Sequence, residues 1–171
     1  MAPSNDGTEM WITTQGPSSV YDLSQPTVAP LLYVVNLEAE PLSISEPIHT
    51  QLATGEAIEG HHGNFNLDGK YFYFCNRGPG SNLTGITVDI FDAQTRERVT
   101  RIETAALNTP EGDGHAYVSP DGKTVAIAKY GTNVLTLLDE KNNWAATELE
   151  VGTGIHIGHI SFVPSGTRAK R

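Results

Sequence analysis

Apolar and polar positions along the chain fall into short runs separated by turn residues. Thr8–Thr14, Tyr71–Asn76 and Thr124–Lys129 are rich in β-branched and aromatic residues, and each follows an Asp-Gly pair. That pattern predicts strands entered from tight hairpin turns, where glycine accepts the positive φ that such turns need. A second set of runs follows at Leu31–Leu37, Gly85–Phe91 and Asn133–Leu138. Ile86, Val88 and Ile90 alternate with Thr87 and Asp89, the period of two of a strand with a buried face. These runs stop at Glu38, Asp92 or Asp139 among polar turn residues. A further strand is expected at Leu42–Thr50, Glu97–Glu103 and Ala146–Val151. Glu97 and Arg101, four apart, also allow a short helix over Glu97–Ala106. The strand is preferred there because its counterparts carry Pro47 or Gly152 close by.

The runs repeat. Asp6-Gly7, Asp68-Gly69 and Asp121-Gly122 each have a glycine ten residues beyond the aspartate, at Gly16, Gly78 and Gly131, and Pro164-Ser165-Gly166-Thr167 is a weaker fourth copy of the turn. Six residues before Asp68, Asp121 and Ser165 stand His62, His115 and His159. For Asp6 the same position falls before residue 1, so the chain reads as starting inside a repeat. A four-stranded antiparallel unit recurring at about 45–60 residues is the mark of a β-propeller blade. The blades are expected at approximately 1–58 (incomplete), 59–111, 112–155 and 156–171 (first strand only, His159–Val163), within a single region 1–171.

The stretch Gly114-His115-Ala116-Tyr117-Val118-Ser119-Pro120-Asp121-Gly122-Lys123, with the strand after it, resembles the YVTN family of β-propeller repeats. It is also similar to the d1-haem domain of cytochrome cd1 nitrite reductase. The resemblance covers nearly the whole chain, best from Gly60 to Gly166. It implies an all-β fold, a partial β-propeller of about three four-stranded antiparallel blades. Such propellers normally have seven or eight blades, so the chain reads as a fragment. The alternative is two chains that self-associate, each donating its final strand to complete the other's first blade.

Composition narrows the function. With 20 acidic and 11 basic side chains the net charge is -9, which disfavours nucleic acid and anionic membrane surfaces. No apolar run approaches the roughly 18–20 residues of a membrane span. The first residues show neither the basic start nor the apolar stretch of an export signal, although relatives of the resembled family are commonly periplasmic or exported. Cys75 is the single cysteine, which excludes an internal disulfide, and it reads as strand packing. Arg77-Gly78-Pro79-Gly80-Ser81-Asn82 lacks the lysine and helix of a phosphate-binding loop. Asn82-Leu83-Thr84 fits a glycosylation pattern without other support, and no nucleophile elbow is present.

The candidate chemistry lies in the histidines. In a propeller His62, His115 and His159 begin equivalent innermost strands and form an arc at one mouth of the channel. His61 adjoins His62, and His156 lies three residues before His159; His49 occupies an outer strand. Imidazoles so gathered can bind a transition metal, a haem or an anionic substrate, or act as acid and base. The repeating three read first as architecture, tying inner strands to loops, so the non-repeating His61 and His156 are the better functional clues. Glu111 and Asp113 precede His115 and read as a solvated loop that can reach the same mouth. The leading expectation is a ligand- or protein-binding scaffold. The cytochrome d1 resemblance implies, as an alternative, a redox propeller with haem d1 or a metal near His62, His115 and His159. A lactonase-type hydrolase, also found in this superfamily, ranks third.

Overall fold

The computed structural model describes residues 1–14, 31–50, 59–77, 86–104, 107, 114–129, 132–153, 157 and 159–162. Within them the chain is all-β, with one short 3-10 turn at Glu140–Asn142. Three antiparallel sheets follow one another along the sequence. Sheet 1 contains β1 (Ala2–Pro3), β2 (Glu9–Thr13), β3 (Leu31–Asn36), β4 (Ser43–Ile44) and β5 (Ile48–His49). Sheet 2 runs β6 (Glu59–Phe65), β7 (Tyr71–Arg77), β8 (Ile86–Asp92), β9 (Arg98–Ile102). Sheet 3 runs β10 (Gly114–Val118), β11 (Thr124–Lys129), β12 (Val134–Asp139), β13 (Ala145–Glu150). This is a partial β-propeller of about three blades.

The Asp-Gly turns superimpose in their bonding. Gly7, Gly69 and Gly122 donate to the carbonyls of Ser4, Asn66 and Ser119, at 3.0, 3.1 and 2.9 Å. All three glycines hold φ between 68° and 77°, the left-handed region that disfavours a Cβ. The aspartate at the tip accepts from the amide two residues on: Asp6 from Thr8, Asp68 from Lys70, Asp121 from Lys123. A further landmark two residues before each aspartate appears only in the structure. The side chains of Ser4, Asn66 and Ser119 accept from the amides of Glu9, Tyr71 and Thr124, closing the first ladder rung of each hairpin. Successive turns also touch. Asn5 donates its amide to the carbonyls of Asn66 and Leu67, and Leu67 packs so closely on Gly122 that an added Cβ would stand 3.1 Å from it.

Sheet 2 is buried on both sides. Along β7, Phe72 and Phe74 pack toward sheet 1 with Trp11, Leu32, Val34, Phe65 and Phe91. Tyr73 and Cys75 pack toward sheet 3 with Val88, Ile90, Val125, Ile127 and Leu138. The strict alternation thus feeds two cores from one strand. The outermost strand β13 is exposed throughout, as expected of a strand that covers no neighbour.

One buried ionic cluster lies on the sheet 1 side of sheet 2. Asp89 is fully buried on β8, accepts from Arg101 at 2.7 and 3.0 Å and from the Asn76 amide at 2.8 Å, and forms an ion pair with Arg98 at 3.0 Å. Arg98 and Arg101 both donate to the carbonyl of Thr50, which links the end of sheet 1 to sheet 2. Burial pushes the Asp89 carboxyl up from its ordinary range, against the opposing pull of Arg101, Arg98 and Asn76. Desolvation outweighing ion pairing is common for buried carboxylates.

Two sequence expectations change in detail and one is settled. The fourth strand expected at Leu42–Thr50 is broken into β4 and β5, because Pro47 has no amide to give the ladder. The strand preferred over Glu97–Glu103 forms as Arg98–Ile102 and pairs with β8 along the blade edge. The strand expected at His159–Val163 is not formed over residues 159–162, and Val163 lies outside the described residues. Ala2–Pro3 already pairs with Trp11 and Met10, on the edge of sheet 1 that a donated strand would occupy.

Candidate functional site

The histidines gather at the inner edge between sheets 2 and 3, and the backbone of β6 explains how. Gly60 pairs with Asn76 and Gly63 with Phe74, so His61 and His62 together stand opposite the single residue Cys75. This is a bulge, with one residue more than the partner strand. In sheet 3 the same stretch is regular: Gly114 pairs with Lys129, His115 with Ala128, Ala116 with Ile127. Counted back six residues from the aspartate of each Asp-Gly turn, His115 corresponds to His62, and His61 is the extra residue between it and the shared glycine. On a regular strand adjacent side chains point to opposite faces. Here the His61 and His62 ring centroids are only 4.1 Å apart, so the bulge turns both toward the same place.

His115 completes the group from β10. Its ring stacks on His62 at 4.0 Å and meets His61 edge-on at 5.4 Å. The ligand atoms that the three imidazoles offer lie within 4.8 Å of one another. His61 and His115 are half-buried and His62 is exposed, so the group is open to solvent on one side. Thr13 donates its hydroxyl to the His61 carbonyl at 3.2 Å, fastening the bulge to sheet 1.

His159 extends the arc, with its ring 5.4 Å from that of His115. Its Nδ1 is hydrogen-bonded to the Tyr117 hydroxyl at 2.8 Å. Tyr117 lies parallel to His115 at 6.1 Å, on the same face of β10 two residues on. Sequence reasoning missed Tyr117, although the period of two from His115 places it there. It also treated His61 as a neighbour of His62, where an offset between Gly60-His61-His62 and Gly114-His115 marks an inserted residue.

The other candidates fall elsewhere. His49 ends β5 in sheet 1, on an outer strand. His156, Glu111, Asp113 and the loop 78–85 with Asn82 lie outside the described residues. Cys75 is buried in the core between sheets 2 and 3, and burial pushes its thiol up to about 12. Among the described residues the three-imidazole group includes no carboxylate.

His62 and His115 do not fit as the two axial ligands of one haem. The macrocycle fills the equatorial positions of its iron and leaves two axial ones on opposite faces. His62 and His115 stack directly on each other at 4.0 Å, with no room for a porphyrin between them, and His61 is a third imidazole on the same spot.

No protein-family model matches the chain, and no curated protein does. Among solved structures it is similar to a candidate 6-phosphogluconolactonase of Bacteroides fragilis, at 17% identity and a TM-score of 0.59, over 86% of this chain and 36% of that one. It is similar also to the periplasmic gluconolactonase of Pseudomonas aeruginosa, at 16% identity and a TM-score of 0.57, over 88% of this chain and 39% of that one. At these identities the likeness shows the propeller fold alone. The chain spans between a third and two fifths of the length of these structures.

Proposed function

We propose that the chain is part of a ligand-binding β-propeller whose working site is the inner edge between sheets 2 and 3, at His61, His62 and His115. The observation that carries this reading is the bulge in β6. Sheet 3 builds the same inner strand without an extra residue, so the fold does not require His61. An insertion that interrupts a ladder and brings one more imidazole into a solvent-open cluster has a role beyond architecture, as bulges beside functional sites commonly do. NMR of protein labelled in its histidine rings tests this with two probes, 6-phosphogluconate as an anion and zinc as a cation. At least one probe will shift the rings of His61, His62 and His115 while leaving His49 in place. Absence of any shift with both probes, or shifts that include His49 equally, contradicts the reading.

A second reading draws on the two structural neighbours, both described as lactonases. A neutral imidazole of the cluster would serve as general base for water attacking a sugar lactone. Release of acid from glucono-1,5-lactone, faster than the spontaneous reaction and lost in His115→Ala, is the expected result. A rate equal to the spontaneous one removes this reading and leaves the binding role intact.

A further inference from the structure

We infer that His61, His62 and His115 form a metal site for one divalent transition ion of the zinc, copper and nickel group. The inference rests on the binding role proposed for this edge and names its ligand class. Geometry is the first support. Metal–nitrogen bonds of 2.0–2.1 Å in a tetrahedral site put donor atoms about 3.4 Å apart. The three donors lie within 4.8 Å of one another, so small side-chain rotations close the set. The second support is chemistry. All three donors are imidazole nitrogens, which suit zinc, copper and nickel, whereas magnesium and calcium require oxygen ligands. The lone thiol, Cys75, lies across the ladder from the bulge but is packed into the core between sheets 2 and 3.

The third support is the asymmetry between sheets. The extra residue of β6 is itself one of the three donors, and the bulge places its ring 4.1 Å from that of His62. Three protein ligands leave at least one coordination position open, the arrangement of sites that bind water or a small ligand on the metal rather than purely structural ones. His62 is exposed, so solvent or a small ligand can reach the group from that side. His159, engaged through Nδ1 with Tyr117, stands next to His115 and borders the same position.

The test is a titration of the purified chain with cobalt(II), whose visible absorption is strong when four- or five-coordinate and weak when six-coordinate. One cobalt per chain with a strong band is expected, displaced by zinc and unaffected by magnesium or calcium. His62→Ala, at the exposed position, is the variant least able to disturb packing. It and His61→Ala are each expected to weaken binding at least about tenfold, since even outer partners of metal ligands contribute roughly 10–100-fold. His49→Ala is expected to leave binding unchanged. Urea midpoints of the variants, matched to the parent, confirm that loss of binding is not loss of fold. Absence of cobalt binding, or binding equally lost in His49→Ala, overturns the metal site. If 6-phosphogluconate still shifts the histidine rings in that case, the binding role stands without the metal; if it does not, both fall.

Discussion

The two seams between sheets share a scaffold and differ in nearly everything that fills it. Between sheets 1 and 2 the core is aromatic. Trp11 meets Phe72 at 4.8 Å and Phe65 at 5.5 Å, and Phe65 meets Phe72 at 5.0 Å. Between sheets 2 and 3 it is mainly aliphatic, with Ile86, Val88, Ile90, Val125, Ile127 and Leu138 around Tyr73 and Trp144. Each seam is clasped where the turn after the third strand of one sheet reaches the start of the sheet before it. In the first seam Arg96 binds Glu9, which also receives the Trp11 indole. In the second, Glu140 accepts from the Asn66 amide and the Tyr73 hydroxyl, which in turn receives the Trp144 indole. The carboxylate has changed sides. Only the second seam carries the histidine cluster at its inner edge. The repeat therefore fixes turns and ladders, while each seam is free to acquire its own core, clasp and chemistry.

Substitutions matched across the seams sharpen this contrast, measured by urea unfolding. The largest effect is expected from Trp11→Ala, about 3–5 kcal/mol, because a fully buried ring leaves a cavity that rigid aromatic neighbours cannot collapse into. Ile127→Val, its milder counterpart in the second seam, should lose about 0.5–1.5 kcal/mol. Equal losses would mean the aromatic seam is not the more tightly built.

Next come the clasps. Glu140→Ala leaves the buried Tyr73 hydroxyl and Asn66 amide without their charged acceptor, a loss of about 1.5–3 kcal/mol. Arg96→Ala breaks the part-exposed ion pair with Glu9 while leaving the Trp11 indole its acceptor, and is expected to lose about 0.2–1 kcal/mol. The reverse order would place the stronger clasp in the first seam.

Gly63→Ala and Gly114→Ala compare the two inner strands. A Cβ on Gly63 would stand 2.1 Å from the buried Phe72 ring, whereas one on Gly114 meets the flexible tip of Ile86 at 2.3 Å. Overpacking against a rigid ring costs about 1–3 kcal/mol, and the Gly114 variant is expected to lose less.

The smallest effect concerns Asp89. Its carboxyl is raised by burial, so the fold favours the protonated form. That contribution is present below the ordinary carboxyl pKa, about 3.9, and is lost as pH rises through the raised value. Asp89→Asn has no such titration. The stability advantage of the parent over this variant should therefore shrink as pH rises from about 4, and an advantage that grows with pH would contradict the assignment.

Much of the architecture was legible because it is local. Asp-Gly at Asp6, Asp68 and Asp121 and the alternation around Ile86–Ile90 act within one hairpin, and the two strands that follow each of these turns formed within a residue of expectation. The Glu140–Asn142 turn was not read, although Asp139 accepts from the Lys141 amide as an N-cap does. The histidine arc was legible from the spacing of His62, His115 and His159. Its sharpest feature was not, because the bulge at His61 shows only when Gly60 and Gly114 are aligned across two sheets. Seam composition was beyond reach for a similar reason: which face of β7 meets which sheet depends on neighbours tens of residues away.

The central claim is that the β6 bulge brings His61 and His62 onto one spot against His115. Nuclear Overhauser contacts among the histidine ring protons test it most directly. The account predicts contacts between His61 and His62 and between His62 and His115, whose centroids lie 4.1 and 4.0 Å apart. A folded chain in which His62 contacts His115 but His61 points to the opposite face of sheet 2, with no ring contact to either, would contradict it.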